Sequence, residues 1–115
     1  MPVIKVWCLP KQSEEELNRL FEAIVKAVEG ISELKLKGER SMTVLFPTDA
    51  MAYGLGTEII IEVMGLFEKP ERTDEVRNRL ARSLGIAVRK LFPLARVQCF
   101  VYSFNPSQGF WKGKK

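Results

Sequence analysis

The feature that most constrains the fold of this chain is an internal repeat. A shift of 60 residues places Asn18-Arg19-Leu20 on Asn78-Arg79-Leu80 and Ala27-Val28 on Ala87-Val88. Shared helical periodicity accounts for the apolar matches, but not for the identical Asn-Arg-Leu triplet. The repeat therefore predicts a duplicated unit within one domain of 115 residues, with halves at about 1–47 and 57–105.

Each half has the pattern of a β-α-β unit. The first has a strand at 2–8, a helix opened by the capping-box pair Ser13 and Glu16 and closed at Gly30, and a short strand at 42–46. The second has a strand at 58–67, a helix introduced by Thr73, and a strand at 96–104. Right-handed crossovers make the strands of each unit parallel. We therefore predict an α+β fold, a two-layer α/β sandwich in which both helices cover one face of a four-stranded sheet.

The other face of the sheet needs a separate explanation. The strand at 96–104, which we expect in the centre of the sheet, alternates apolar residues on both sides, and the run Ile59-Ile60-Ile61 suggests burial on both faces as well. Apolar surface of this extent implies a partner. Self-association is the simplest arrangement that covers it.

Composition narrows the function classes. The chain contains no histidine and two cysteines, Cys8 and Cys99, without a Cys-x-x-Cys pair, so neither a metal site nor a cofactor is predicted. No apolar run is long enough to span a bilayer and no signal peptide is visible, so we expect a cytoplasmic protein. The net charge of +4 suits an anionic small molecule or weak contact with nucleic acid.

Pro2 is the residue with the most direct chemical consequence. If Met1 is removed, Pro2 becomes a secondary amine at the chain terminus, and an α-amino group titrates near neutrality. In a chain without histidine, such an amine is a candidate for proton transfer at neutral pH. The alternative is that Pro2 only begins an edge strand, where its missing N–H does no harm.

These features together resemble the tautomerase superfamily, in particular its longer, duplicated branch, which includes macrophage migration inhibitory factor and 5-carboxymethyl-2-hydroxymuconate isomerase. The resemblance rests on the Met1-Pro2 start, the β-α-β duplication, the stretch from Pro47 to Gly54 with its Met-Ala-aromatic-Gly run, and the stretch from Arg96 to Trp111. It implies a homotrimer with sites between subunits. It also implies that Pro2 acts as a general base or acid on a small keto–enol or unsaturated carboxylate, without a cofactor.

The resemblance also implies the residues around the site. Lys35 or Lys37 falls where that branch has an active-site lysine, and Arg40 falls where it has an aromatic residue. Trp111 matches a lining tryptophan and Tyr53 an aromatic near the site. On the last strand the tyrosine and asparagine lining positions of the family are Gln98 and Phe100 here. These two differences put activity on phenylpyruvate-like substrates in question.

Two other classes of function remain open. The first is a trimer of the same fold without catalysis, to which the differences at Gln98 and Phe100 point. The second is a ferredoxin-like module that binds nucleic acid or a ligand, since that fold has the same order of elements. Phe100, Tyr102 and Phe104 would then form a stacking platform. The sequence lacks the aromatic-rich RNA-recognition motif, which does not favour nucleic acid.

Overall fold

The computed structural model describes residues 1–47 and 58–113. The elements are β1 (Val3–Trp7), α1 (Glu14–Glu29), β2 (Thr43–Leu45), β3 (Glu58–Phe67), α2 (Asp74–Leu91) and β4 (Arg96–Phe104), and two 3-10 turns, Ser32–Leu34 and Glu39–Ser41, lie between α1 and β2. The predicted order of two β-α-β units is confirmed, and every strand end falls within one residue of its predicted position. The loop predicted at 48–56, with Tyr53, lies outside the described residues.

Both helices begin at the residues that the sequence indicates. The Ser13 hydroxyl accepts a hydrogen bond from the Glu16 amide at 3.1 Å, and the Glu16 carboxylate accepts one from the Ser13 amide at 2.9 Å. The Thr73 hydroxyl accepts a hydrogen bond from the Val76 amide in the same manner. Since the first amides of a helix have no partner within it, these side chains fix where α1 and α2 start.

The sheet has the strand order β2-β1-β3-β4. Strand β1 is parallel to β2, β3 is parallel to β4, and the two units meet through antiparallel pairing of β1 with β3. The two strands of each unit are therefore neighbours. A ferredoxin-like fold is built from split units, in which another strand separates the parallel pair, so the fold of this chain is not ferredoxin-like.

The core lies between the sheet and the two helices. The helices bury matching stripes, since the fully covered Leu20, Ile24 and Val28 of α1 correspond by the 60-residue shift to Leu80, Leu84 and Val88 of α2. The sheet contributes alternate residues of β1 and β3 to this core. Its fully buried residues are Ile4, Val6, Ile59, Ile61, Val63 and Leu66.

One prediction about the sheet was wrong, since strand β4 lies at the edge of the sheet rather than in its centre. Within the single chain, Ile59 and Ile61 of β3 lie under the helices, while Ile60 faces the other way and is half-buried. Burial of the second face of β3 stays a prediction that depends on self-association. Three β-branched residues in a row fit a strand buried on one face or on both, so the run alone does not distinguish the two cases.

The sheet face turned away from the helices, called the open face below, carries polar and aromatic residues in contact. The half-buried Glu62 carboxylate accepts hydrogen bonds from the Trp7 indole at 2.6 Å and from the Tyr102 hydroxyl at 3.2 Å. Phe100 and Tyr102 each keep 45% of their surface exposed. On the opposite face of the same strand, Cys99 packs against the core, and burial raises the pKa of its thiol to about 12.

Among residues 1–47 and 58–113, no helix is long and apolar enough to cross a membrane.

Candidate active site

The amino terminus lies at the end of the sheet where β1 and β2 begin and β3 and β4 finish. Pro2 is buried, and its carbonyl accepts a hydrogen bond from the Thr43 amide at 3.0 Å. Strand β3 has an irregular register between Val63 and Leu66, and within it Gly65 has a φ of +70°. A Cβ at Gly65 would be 3.5 Å from the Met1 carbonyl oxygen and 3.9 Å from the Pro2 Cα. The irregular turn of β3 therefore packs directly against the start of the chain.

Three cations act on the terminal amine. The pKa of the Met1 amino group is lowered, first by burial and then by the positive charges of Arg72, Lys112 and Lys69. Both causes disfavour the protonated amine. The end of the sheet that holds the amino terminus is therefore electropositive.

Arg72 is the residue that defines this region. It precedes α2, retains 7% of its surface exposed, and donates hydrogen bonds from Nη1 to the Phe67 carbonyl at 2.9 Å and from Nη2 to the Leu34 carbonyl at 3.1 Å. Its Nε is buried and has no hydrogen-bond partner within the described residues. Buried guanidinium groups are normally fully hydrogen-bonded, so this N–H is a buried donor left over in the described part of the chain.

Arg72 also borders a surface cavity of about 370 Å³, which Lys69, Arg77 and Ser103 line as well. Arg77 is engaged locally, since it donates to the Arg72 carbonyl and pairs with Asp74. Glu68 lines the cavity too, so three cationic side chains, one carboxylate and one hydroxyl surround it, with positive charge in excess.

Of the predicted cations, Lys35 is linked to the Arg72 region by an ion pair. Lys35 has a φ of +55° after the first 3-10 turn, and its ammonium group forms an ion pair with Glu71 at 3.6 Å. Glu71 immediately precedes Arg72. Lys37 and Arg40 are exposed, and neither forms an ion pair with any described residue. Arg40 lies three residues before Thr43, whose amide donates a hydrogen bond to the Pro2 carbonyl.

The tail beyond β4 is held against the same end of the sheet. The Phe110 ring packs edge-on against Phe67, with ring centroids 4.9 Å apart, and against Phe104 at 6.1 Å. This anchor places Lys112 where its charge acts on the terminal amine. The predicted residue Trp111 is next to it but remains 85% exposed.

Gln98 and Phe100 are not brought to Pro2 within one chain. Gln98 is paired with Ile60 and donates a hydrogen bond to the Glu58 carboxylate at 3.2 Å, near the opposite end of the sheet. Phe100 is paired with Glu62, which is in turn paired with Lys5. Three residues of strand separate that position from Pro2, a distance of roughly 10 Å along the sheet.

Sequence reasoning missed Arg72 and Lys69 as site candidates. Their position follows from the way the two units pair. Because β1 and β3 are antiparallel, the end of β3 and the loop after it lie at the same end of the sheet as Pro2. The repeat does not reveal this direction, so the loop at 68–73 was not placed beside the amino terminus.

Within the described residues, no group of three or more His, Cys, Asp or Glu side chains is arranged to hold a metal ion.

The architecture is that of the tautomerase superfamily, as the resemblance in sequence predicted. Neither a protein-family model nor a curated protein sequence matches the chain. Similarity is found instead among solved structures. An asymmetric trimer of fused 4-oxalocrotonate tautomerase has a TM-score of 0.73 and 12% identity, over 97% of this chain and 94% of the other.

Two further structures share the fold. Pt0534 inactivated by 2-oxo-3-pentynoate has a TM-score of 0.71 and 17% identity, over 92% of this chain and 88% of the other. Macrophage migration inhibitory factor from Toxoplasma gondii has a TM-score of 0.60 and 15% identity, over 98% and 97%. At these identities the likeness establishes the fold, and the chemistry has to be argued from the residues.

Proposed function

We propose that this protein is a tautomerase-like enzyme in which Pro2, freed by removal of Met1, is a general base or acid for a small keto–enol or unsaturated carboxylate. The observation that carries the proposal is the packing of the amino terminus against the irregular end of β3, where burial and the charges of Arg72, Lys112 and Lys69 lower the pKa of the terminal amine. A secondary amine at this place experiences the same cations as the Met1 amine does. Its neutral form is thereby favoured near pH 7, where it accepts a proton from carbon.

The same cations supply the second requirement of the reaction. Removing a proton next to a carbonyl group leaves negative charge on oxygen, and preorganised donors stabilise that charge. The ammonium groups of Lys69 and Lys112 are candidate donors, and the buried guanidinium charge of Arg72 adds to the positive field around them. They also fit a substrate carboxylate. Positive charge continues along the segment between α1 and β2, which carries Lys35, Lys37 and Arg40.

The remaining predicted residues fit a homotrimer. Three of the solved structures that share the fold are trimers of fused 4-oxalocrotonate tautomerase. In a trimer of this chain the open face would be covered by neighbouring subunits. Gln98 and Phe100, which are remote from Pro2 in their own chain, would then approach the Pro2 of a neighbour, with Trp111 lining the cleft.

The first test is the intact mass of the purified protein. A mass lower by one methionine means that the proline amine is free. The protein is then treated with 2-oxo-3-pentynoate, an activated alkyne with a carboxylate, and the modified peptide is mapped. We expect one adduct per chain on the nitrogen of Pro2, because burial and the nearby cations that lower the pKa of the Met1 amine would favour the neutral proline amine, and the cations attract the carboxylate.

A matched variant makes the test specific. Arg72→Met is expected to slow the modification of Pro2, whereas Lys11→Met, a change of one exposed lysine elsewhere, leaves the rate unchanged. Retention of Met1, or modification at lysines with Pro2 untouched, would contradict proline catalysis. The alternative of a trimer without catalysis would then be favoured, and the differences at Gln98 and Phe100 already point to it.

A further inference from the structure

A second candidate site lies on the outer surface of the helices, away from the amino terminus. Helices α1 and α2 run past each other in opposite directions, since the Ser83 hydroxyl donates to the Ala27 carbonyl and Arg79 pairs with Glu33, six residues further along. Between them is a groove of about 680 Å³. Its floor is apolar and consists of small or partly covered residues, namely Ala23, Ala27, Ile31, Ile86, Ala87 and Leu91.

The rim of the groove is positively charged. Its charged residues are Lys26 of α1 and Arg79, Arg82 and Lys90 of α2, and no carboxylate of residues 1–47 or 58–113 lines the groove. Arg79 is paired with Glu33. Lys26, Arg82 and Lys90 form no ion pair with any residue in the described ranges. Free cations beside an apolar floor are complementary to an acidic amphiphile.

The length of the charged rim suggests the shape of the ligand. Arg79, Arg82, Ile86 and Lys90 follow one another at intervals of three or four residues along one side of α2. Eleven residues of helix extend over about 16 Å, which is three helical turns. A second helix bound along the groove would contact one of these cations every one or two turns. Its apolar side chains would contact the apolar floor between α1 and α2.

We propose that the groove between α1 and α2 binds an acidic amphipathic helix of a partner protein. Apolar side chains of that helix, spaced at i, i+3, i+4 and i+7, would fill the floor, and its flanking carboxylates would pair with Lys26, Arg82 and Lys90. The groove is on the helix layer, opposite the open face. It therefore stays accessible when the open face is covered by other subunits.

Other ligands match the groove less well. Nucleic acid would use the cations but leave the apolar floor unfilled. A membrane is contacted by large protruding apolar residues, whereas half of this floor consists of the small residues Ala23, Ala27 and Ala87. A second copy of the same groove would bring like charges together. These alternatives define the outcomes that would overturn the proposal.

The test uses a labelled synthetic peptide of about 16 residues, with leucines at helical spacing on one face and glutamates on the flanks. Binding to the intact protein is followed by fluorescence anisotropy, and the site is mapped by NMR shift changes. The double variant R82E/K90E is expected to weaken binding roughly tenfold, because two attractions become repulsions. The matched double variant K11E/R89E changes the same number of exposed charges, one of them on the same helix, and is expected to leave binding within about twofold.

Two control ligands decide between the occupants. A scrambled peptide of the same composition, which has the charge but no apolar face, is expected to bind at least about tenfold more weakly. Equal binding of the scrambled peptide, an equal loss in both double variants, or shift changes outside the groove would overturn the proposal. So would failure of the peptide to bind while phosphatidylglycerol vesicles or single-stranded DNA bind through Arg82 and Lys90. These measurements do not depend on Pro2, so they stand or fall separately from the proposed catalysis.

Discussion

At the scale of single residues, Arg72 connects the stability of the fold to the chemistry of the amino terminus. Its guanidinium group ties the end of β3 to the turn after α1 through the carbonyls of Phe67 and Leu34. One N–H is left over at the same time. The residue thus holds two segments of the fold together, and its positive charge also acts on the terminal amine.

Replacing Arg72 by methionine keeps much of the volume but removes these donors. Two buried carbonyls then lose their partners, and we expect the free energy of unfolding to fall by about 1–3 kcal/mol. Urea denaturation measures the change. Arg89→Met, which removes an exposed arginine from α2, is expected to alter stability by less than about 0.5 kcal/mol. Equal effects of the two substitutions would show that the Arg72 contacts contribute no stability.

The lysines near the amino terminus give a prediction about pH. Positive charge from Lys112 and Lys69 lowers the pKa of the terminal amine, so removal of either charge raises that pKa. Lys112→Met and Lys69→Met should each shift the NMR titration of the terminal residue upward, while Lys11→Met leaves it in place. With Pro2 acting as a base, activity rises with pH through the pKa of its amine, and its lower limb moves to higher pH in both variants.

At the scale of elements, the irregular segment of β3 is the feature that seats the start of the chain. Gly65 has a positive φ there, which an L side chain rarely adopts, and its neighbours are Met1 and Pro2. The segment lies between residues that pair regularly with β4. It is therefore a local adjustment of the strand at the point where the two β-α-β units converge on the amino terminus.

Two glycines allow a paired test of this interpretation. Gly65→Ala is expected to destabilise the protein by about 1–2 kcal/mol, because alanine is strained at φ +70°. Gly85→Ala lies within α2, where an added Cβ meets nothing within 4 Å, and is expected to stabilise by up to about 1 kcal/mol. Urea denaturation of both variants should show opposite signs. Destabilisation by Gly85→Ala, or no destabilisation by Gly65→Ala, would contradict the interpretation that the positive φ of Gly65 is required in β3.

Local chemistry explains which parts of the fold were predictable. The capping residues Ser13 and Thr73 and the apolar stripes of both helices are local signals, and the elements they mark formed where expected. The strand order depends on how the two units meet, which no local pattern encodes. For that reason β4 was placed in the centre of the sheet, and Arg72 was not placed beside Pro2.

At the scale of the whole molecule, the open face is the surface that the single chain leaves without a partner. It exposes Phe100, Tyr102 and Met64 around the Glu62 carboxylate. Burial, and then the hydrogen bond to Glu62, raises the pKa of the Tyr102 hydroxyl. Hydrogen bonds between neighbouring strands thus already organise the polar groups of this face before any subunit covers it.

Light scattering tests whether copies of the chain cover this face. We expect the mass of a trimer for the native protein and a smaller species for Phe100→Glu, because Phe100 is paired with Glu62 and a second carboxylate would be buried beside the first. Leu94→Glu changes a residue that is 92% exposed outside the sheet and should leave the mass unchanged. A native monomer would contradict the proposed assembly.

The burial of Cys99 has a practical consequence for measuring motion in the folded protein. Burial raises the pKa of the Cys99 thiol to about 12, so little thiolate is present at pH 8 and alkylation is slow while β4 stays packed against α2. When β4 separates, the thiol returns to an ordinary pKa and reacts. The alkylation rate at Cys99, read by peptide mapping separately from Cys8, therefore reports how often this edge strand opens. The alkylation rate of Cys99 can then be compared between the free protein and the protein with a ligand bound at the amino terminus or in the groove between the helices.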